Sequence, residues 1–127
     1  MTIREAIDRA DVNNINQYSI EDKVRWLSIL DNLIVIDIYS RHDRNKGEEE
    51  INFTPYTSED MDKSLLVPFP YDELYVSYLD MKICEANHET ERYNNAVVLY
   101  NSYFDDYSHM YHRTHLPKFT HNFRPLG

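Results

Sequence analysis

Glycine is nearly missing from this chain: Gly47 and Gly127 are its only two. Loops that need positive φ, and glycine-rich cradles for phosphate, are thereby almost excluded. So scarce a supply argues for helices joined by short polar links over a many-stranded β protein. A lone cysteine, Cys84, rules out an internal disulfide. Its place inside a helical pattern reads as a small buried hydrophobe. Long apolar runs are missing as well. The cluster at residues 33–38 is broken by Asp37 and is far too short to span a bilayer. The first residues, Met-Thr-Ile-Arg-Glu-Ala, lack the basic and apolar regions of a signal peptide. A soluble protein made in a reducing cytoplasm, with no membrane partner, is the expectation.

Basic residues are also in short supply, 13 against 22 acids, for a formal charge of −9. Binding to duplex nucleic acid needs a basic face that displaces counterions, and this balance opposes it. An acidic surface serves solubility and steers basic partners. With 127 residues, 42% of them apolar, one domain with a modest core is expected.

What the chain has in abundance is tyrosine, 11 residues in all. Tyr93, Val97, Tyr100, Phe104, Tyr107 and Tyr111 are spaced 4, 3, 4, 3, 4, which sets them along one side of a helix. A tyrosine buries a large ring yet keeps a hydroxyl that wants a partner or water. Such a stripe suits the subunit's own core or a partly wet contact with a neighbour, where aromatics are enriched. Tyr100, Phe104, Tyr107 and Tyr111 are the candidates for that packing.

The start and stop signals predict four helices. Thr2-Ile3-Arg4-Glu5 fits a capping box, and Ile3, Ala6, Ile7 and Ala10 share a face of the helix it opens. Ser19-Ile20-Glu21-Asp22 starts a second helix reaching to about His42. Val24, Trp26, Leu27, Leu30, Leu33, Ile34 and Ile38 make it the expected central core helix, with Trp26 as main anchor. Residues 41–50 read as a charged loop. Ile51-Asn52-Phe53-Thr54 and Leu65-Leu66-Val67 have strand character, and either pair as a small β-hairpin or remain an extended arm. Pro68 and Pro70 hold Val67 and Phe69 extended, and Pro70 suits the first turn of the third helix. That helix runs to about Asn87, burying Leu74, Tyr75, Tyr78, Leu79, Ile83 and Ala86. Asn87-His88-Glu89 breaks or kinks it, since asparagine tolerates the left-handed conformation. A fourth helix, 89–113, completes a mainly α four-helix core spanning 1–113, with the arm at about 43–69. Residues 114–127 form an extended tail made basic by Lys118 and Arg124, with Leu116, Phe119 and Phe123 as anchors.

Catalytic patterns are not found. His109, His112 and His115, with His121 beyond, step by three, but successive steps drift by about 60° and no acid or cysteine completes zinc-motif spacing. Surface or interface histidines are the expected reading. Asp105-Asp106 and Glu48-Glu49-Glu50 come without a nucleophile, a base or a phosphate loop, and read as solvated acidic surface. The expectation is a non-enzyme with no metal and no cofactor.

Several strings together resemble a known family. Ile3-Arg4-Glu5-Ala6-Ile7-Asp8-Arg9 opens the chain, and Asn16-Gln17-Tyr18-Ser19-Ile20-Glu21-Asp22-Lys23 leads into Trp26-Leu27. Phe53-Thr54-Pro55-Tyr56, Leu65-Leu66-Val67-Pro68 and Pro70-Tyr71-Asp72-Glu73-Leu74-Tyr75 follow. Ala86-Asn87, Arg92-Tyr93-Asn94-Asn95 and Arg113-Thr114-His115-Leu116-Pro117 complete the set. In combination they resemble the small head–tail adaptor (connector) proteins of tailed bacteriophages and prophages of Firmicutes, over nearly the whole chain. Residues 118–127 depart from the ending expected of that family. The resemblance implies a virion neck protein that forms a homo-oligomeric ring of twelve beneath the portal protein. Such a ring extends the DNA channel without binding DNA specifically and receives the next neck or tail protein. The arm and the tail would contact neighbours. Two other roles stay open: a stopper or terminator of the same neck, and a small acidic DNA mimic.

Overall fold

The computed structural model describes residues 1–41 and 53–115. Four α-helices account for most of them: α1 (Ile3–Asn13), α2 (Ile20–Asp37), α3 (Glu73–Ala86) and α4 (Thr90–Thr114). Thr2 caps α1, its hydroxyl oxygen accepting the Glu5 amide at 3.2 Å. The Glu5 carboxylate returns to the threonine hydroxyl, at 3.3 Å, instead of reaching the backbone amide that completes a capping box. Ser19 caps α2 through the Asp22 amide at 3.1 Å.

α3 is the central helix, in place of α2. It buries Leu74, Tyr75, Val76, Tyr78, Leu79, Ile83 and Cys84 nearly all round its girth, the pattern of a helix enclosed by its neighbours. α1, α2 and α4 each pack against it, whereas α2 and α4 do not pack on one another. α1 contributes Ile3, Ala6, Ile7 and Ala10, and α2 contributes Val24, Leu27, Leu30 and Ile34. Trp26 is only half-buried, edge-on to Tyr18 at 5.8 Å, and Leu33 is exposed. Trp26 packs on the rim of the core, and Leu33 lies on the side of α2 turned from it. The α-helix stops at Asp37 and a single 3-10 turn, Tyr39–Arg41, follows.

The break between α3 and α4 falls at Asn87-His88-Glu89 as expected, with two corrections of detail. Ala86 is exposed, and the left-handed residue is His88, with φ 59°, while Asn87 stays right-handed. His88 donates its amide to Glu85 and Glu89 donates to Cys84, at 3.2 and 2.9 Å. These bonds satisfy the last carbonyls of α3 in a Schellman motif and reverse the chain into α4.

Among the described residues of the α2–α3 connection there is no hairpin. Residues 53–67 form a strap that runs back along α1. An isolated bridge joins Thr2 to Ser64. Around it Ile3 donates to Lys63 and Arg4 to Met61, at 3.1 and 2.8 Å. Tyr56, Met61, Leu65 and Val67 are buried in the main core. The strap is therefore part of the subunit and does not reach out as an arm. The Phe69–Pro70 peptide is cis, and turns carry the chain into α3 at Glu73.

Candidate assembly interface

The tyrosine stripe of α4 divides along its length. At the C-terminal half Tyr107 and Tyr111 are buried, 2% and 5% exposed. The hydroxyls of Tyr39 and Tyr107 meet at 2.6 Å, with the rings edge-on at 6.4 Å. Tyr71 lies 5.6 Å from the Tyr107 ring and Tyr39 lies 4.9 Å from the Tyr111 ring. This cluster joins the turn after α2, the entry to α3 and the end of α4. Towards the helix middle Tyr100 and Phe104 are half-buried, and Tyr100 packs on Tyr78 at 5.2 Å. Burial raises the Tyr39, Tyr78 and Tyr100 phenols above the ordinary tyrosine range. Tyr107 and Tyr111 thus serve the subunit's own core, and the stripe leaves the half-buried Tyr93, Val97, Tyr100 and Phe104 for a neighbour. Leu116, Phe119 and Phe123 lie outside the described residues, as do Glu48, Glu49, Glu50 and His121.

Apolar surface stands open elsewhere. On α2, Ile29, Leu33 and Ile36 are 41%, 41% and 52% exposed. Val12 projects from the end of α1 and Ile15 from the link to α2, Phe69 projects beyond the strap's end, and Val98 and Leu99 project from α4. Single exposed hydrophobes are ordinary, but a row along one helix face is the mark of a contact surface.

Polar side chains in the interior hold the elements together. Asp31 is fully buried on α2 and takes three hydrogen bonds: Tyr56 Oη and the Leu66 amide on Oδ2, at 2.5 and 3.2 Å, and Tyr75 Oη on Oδ1, at 2.5 Å. Burial raises its carboxyl above the usual range, against the opposing pull of these donors. Ser28 accepts the Tyr56 amide at 2.8 Å, and Tyr75 accepts the Val67 amide at 2.8 Å. Sequence reading passed over this carboxylate. A signal was present, because Asp31 falls four residues after Leu27 and three before Ile34, on the core face of α2.

A second polar joint ties α1 to α3 and α4. Asn14 donates to Asp80 at 2.8 Å and accepts from Arg92. Lys23, itself buried, donates to Asp11 at 2.7 Å. Beside Asn14 a cleft of about 240 Å³ is lined by Ser77, Asp80, Cys84, Arg92 and Asn95, among others. Its charged groups are already engaged, Asp80 by Asn14 and Arg92 by Asn14 and Glu89, and burial raises both the Asp80 carboxyl and the Cys84 thiol. Among the described residues no three His, Cys, Asp or Glu side chains converge as metal ligands. His109 and His112 are exposed on α4, and His115 stacks on Tyr111 at 3.7 Å. Asp105 and Asp106 are exposed. No described helix is long and apolar enough to cross a membrane.

No protein-family model matches the chain, and neither a curated protein nor a solved structure matches it.

Proposed function

We propose that this chain is a structural protein of a tailed-phage virion, acting as a ring-forming head–tail adaptor between the portal and the next neck or tail protein. The observation that carries this reading is that the strings resembling head–tail adaptors meet in space although they lie far apart in the chain. Tyr56, Leu66 and Tyr75 come from three of them and converge on Asp31. Tyr18 and Asn87 come from two others and bond at 2.7 Å. The contacts support the reading to the extent that residues of the resembling strings depend on one another in the fold.

A role in assembly also fits how the interior acids are used. The buried Asp31 and the half-buried Asp80 are each bound up in contacts between elements, Asp80 through Asn14 beside the cleft. The subunit is a helical block with apolar residues exposed on more than one side, as heterologous ring contacts require two different patches. An acidic ring of twelve would repel phosphates and let DNA slide through its channel. Its place is the neck of the virion, with no cofactor and no reaction.

The test is to mix the purified protein with portal rings of its own phage or prophage and image the product by electron microscopy. A second ring stacked on the portal is the expected result. Intact portal rings that never acquire one would sink the adaptor reading.

A further inference from the structure

α2 carries two apolar faces turned in opposite directions. Val24, Leu27, Leu30, Ile34 and Ile38 face the core. Ile29, Leu33 and Ile36 lie on the other side with the half-buried Trp26 at its flank, at spacings of 3, 4 and 3, the period of a helix-pairing seam. The three aliphatic members are among the exposed large hydrophobics, and none of the other described helices covers them.

We propose that this seam binds the same seam of a second copy, the two α2 helices running antiparallel about a two-fold axis at the level of Asp31. The sequence is self-complementary about that point. Trp26 of each copy comes level with Ile36 of the other, and Ile29 with Leu33, so both apolar layers occur twice. Charge selects the same direction. Arg25 comes level with Asp37, whereas a parallel pair sets every charge beside its own copy. Among the described residues neither Arg25 nor Asp37 forms a salt bridge. Antiparallel helices also oppose their dipoles. A two-fold contact closes on itself and generates a dimer, never a ring. The dimer is accordingly a state of the free protein, independent of whether the ring reading holds.

The experiment is sedimentation equilibrium on the full chain across a concentration series, with far-UV circular dichroism as the check on folding. The expected mass is that of two chains. Leu33→Glu, at an exposed position, gives the mass of one chain with helicity unchanged. Arg25→Glu weakens the dimer about tenfold, because the symmetric contact is lost twice, and adding Asp37→Arg restores most of it. Trp26, the sole tryptophan, shifts its emission to the blue on dimerisation and not in the Leu33→Glu variant. A full chain that stays monomeric leaves the seam to another partner or to residues 116–127, and overturns the proposal. A dimer that survives Leu33→Glu, or a charge swap that fails to restore association, overturns it equally.

Discussion

The Tyr75 hydroxyl donates to the Asp31 carboxylate at 2.5 Å while accepting the Val67 amide at 2.8 Å. One phenol thus joins α2, α3 and the strap that connects them. Tyr56 meets the same carboxylate from the strap side. The connection between the two helices is held in place by hydrogen bonds to a group with no access to water. A buried acceptor of this kind carries weight chiefly because removing it orphans its donors.

Asp31→Ala is expected to lower stability by about 3–5 kcal/mol, since it leaves two phenols and one amide buried without an acceptor. Tyr56→Phe, which removes one donor and leaves the carboxylate its other two, costs about 1–2 kcal/mol. Urea unfolding followed by circular dichroism ranks the two variants. Equal losses would show that the network does not centre on Asp31.

The raised carboxyl of Asp31 also sets a pH dependence. Its folded value lies above the ordinary 3.8, so its contribution is full below that pH and declines as pH rises through the folded value. Asp31→Asn does not titrate. The stability deficit of that variant against wild type should therefore shrink with rising pH, measured by unfolding across an acid-to-neutral series. A deficit that grows with pH would mean that the donors outweigh burial.

Tyr39 and Tyr107 share a buried hydroxyl contact at 2.6 Å. Tyr107→Phe should cost about 1 kcal/mol, and the double-mutant cycle with Tyr39→Phe should return a coupling of roughly 0.5–1.5 kcal/mol. Additive losses would indicate that the hydroxyls act separately.

His88 holds φ at 59°, a region that costs an L-residue about 1–2 kcal/mol. His88→Gly relieves this and gives back part of it through the looser unfolded chain, for a net gain near 0.5–1 kcal/mol. His88→Val, β-branched at the same site, should lose stability. Thermal melts of the two variants should move in opposite directions.

Alkali should unfold the protein through its tyrosines. Tyr39, Tyr56, Tyr75, Tyr78 and Tyr100 all have phenols raised above the ordinary value of 10.0, with burial the leading cause in each. Their stabilising contribution is complete below that pH and is lost above it, as the unfolded chain ionises first. Tyrosinate absorbance and loss of helical circular dichroism should therefore rise together. Smooth ionisation with helicity retained would contradict this burial.

The local code determined the helices. Thr2 and Ser19 cap α1 and α2 because a side-chain oxygen beside free amides acts within one turn, and the apolar periods of α1 and α4 follow from helical geometry alone. The tyrosine stripe was legible for the same reason, since spacing fixes which residues share a face. Spacing does not say what lies opposite. Leu33 satisfies the same apolar pattern as Leu27 and Ile34, and only the arrival of α1, α3 and the strap on one side left it outside and Trp26 at the rim. Asp31 looked like any helix acid until Tyr56, Tyr75 and the Leu66 amide came to it from positions 25 to 44 residues away. His88 took the left-handed position because the reversal between α3 and α4 demands it there, one residue beyond the asparagine better suited to it. The tyrosine stripe was divided the same way, with Tyr107 and Tyr111 buried because Tyr39 and Tyr71 are brought against them. Those decisions belong to long-range packing, where the partner's identity is set by the whole fold.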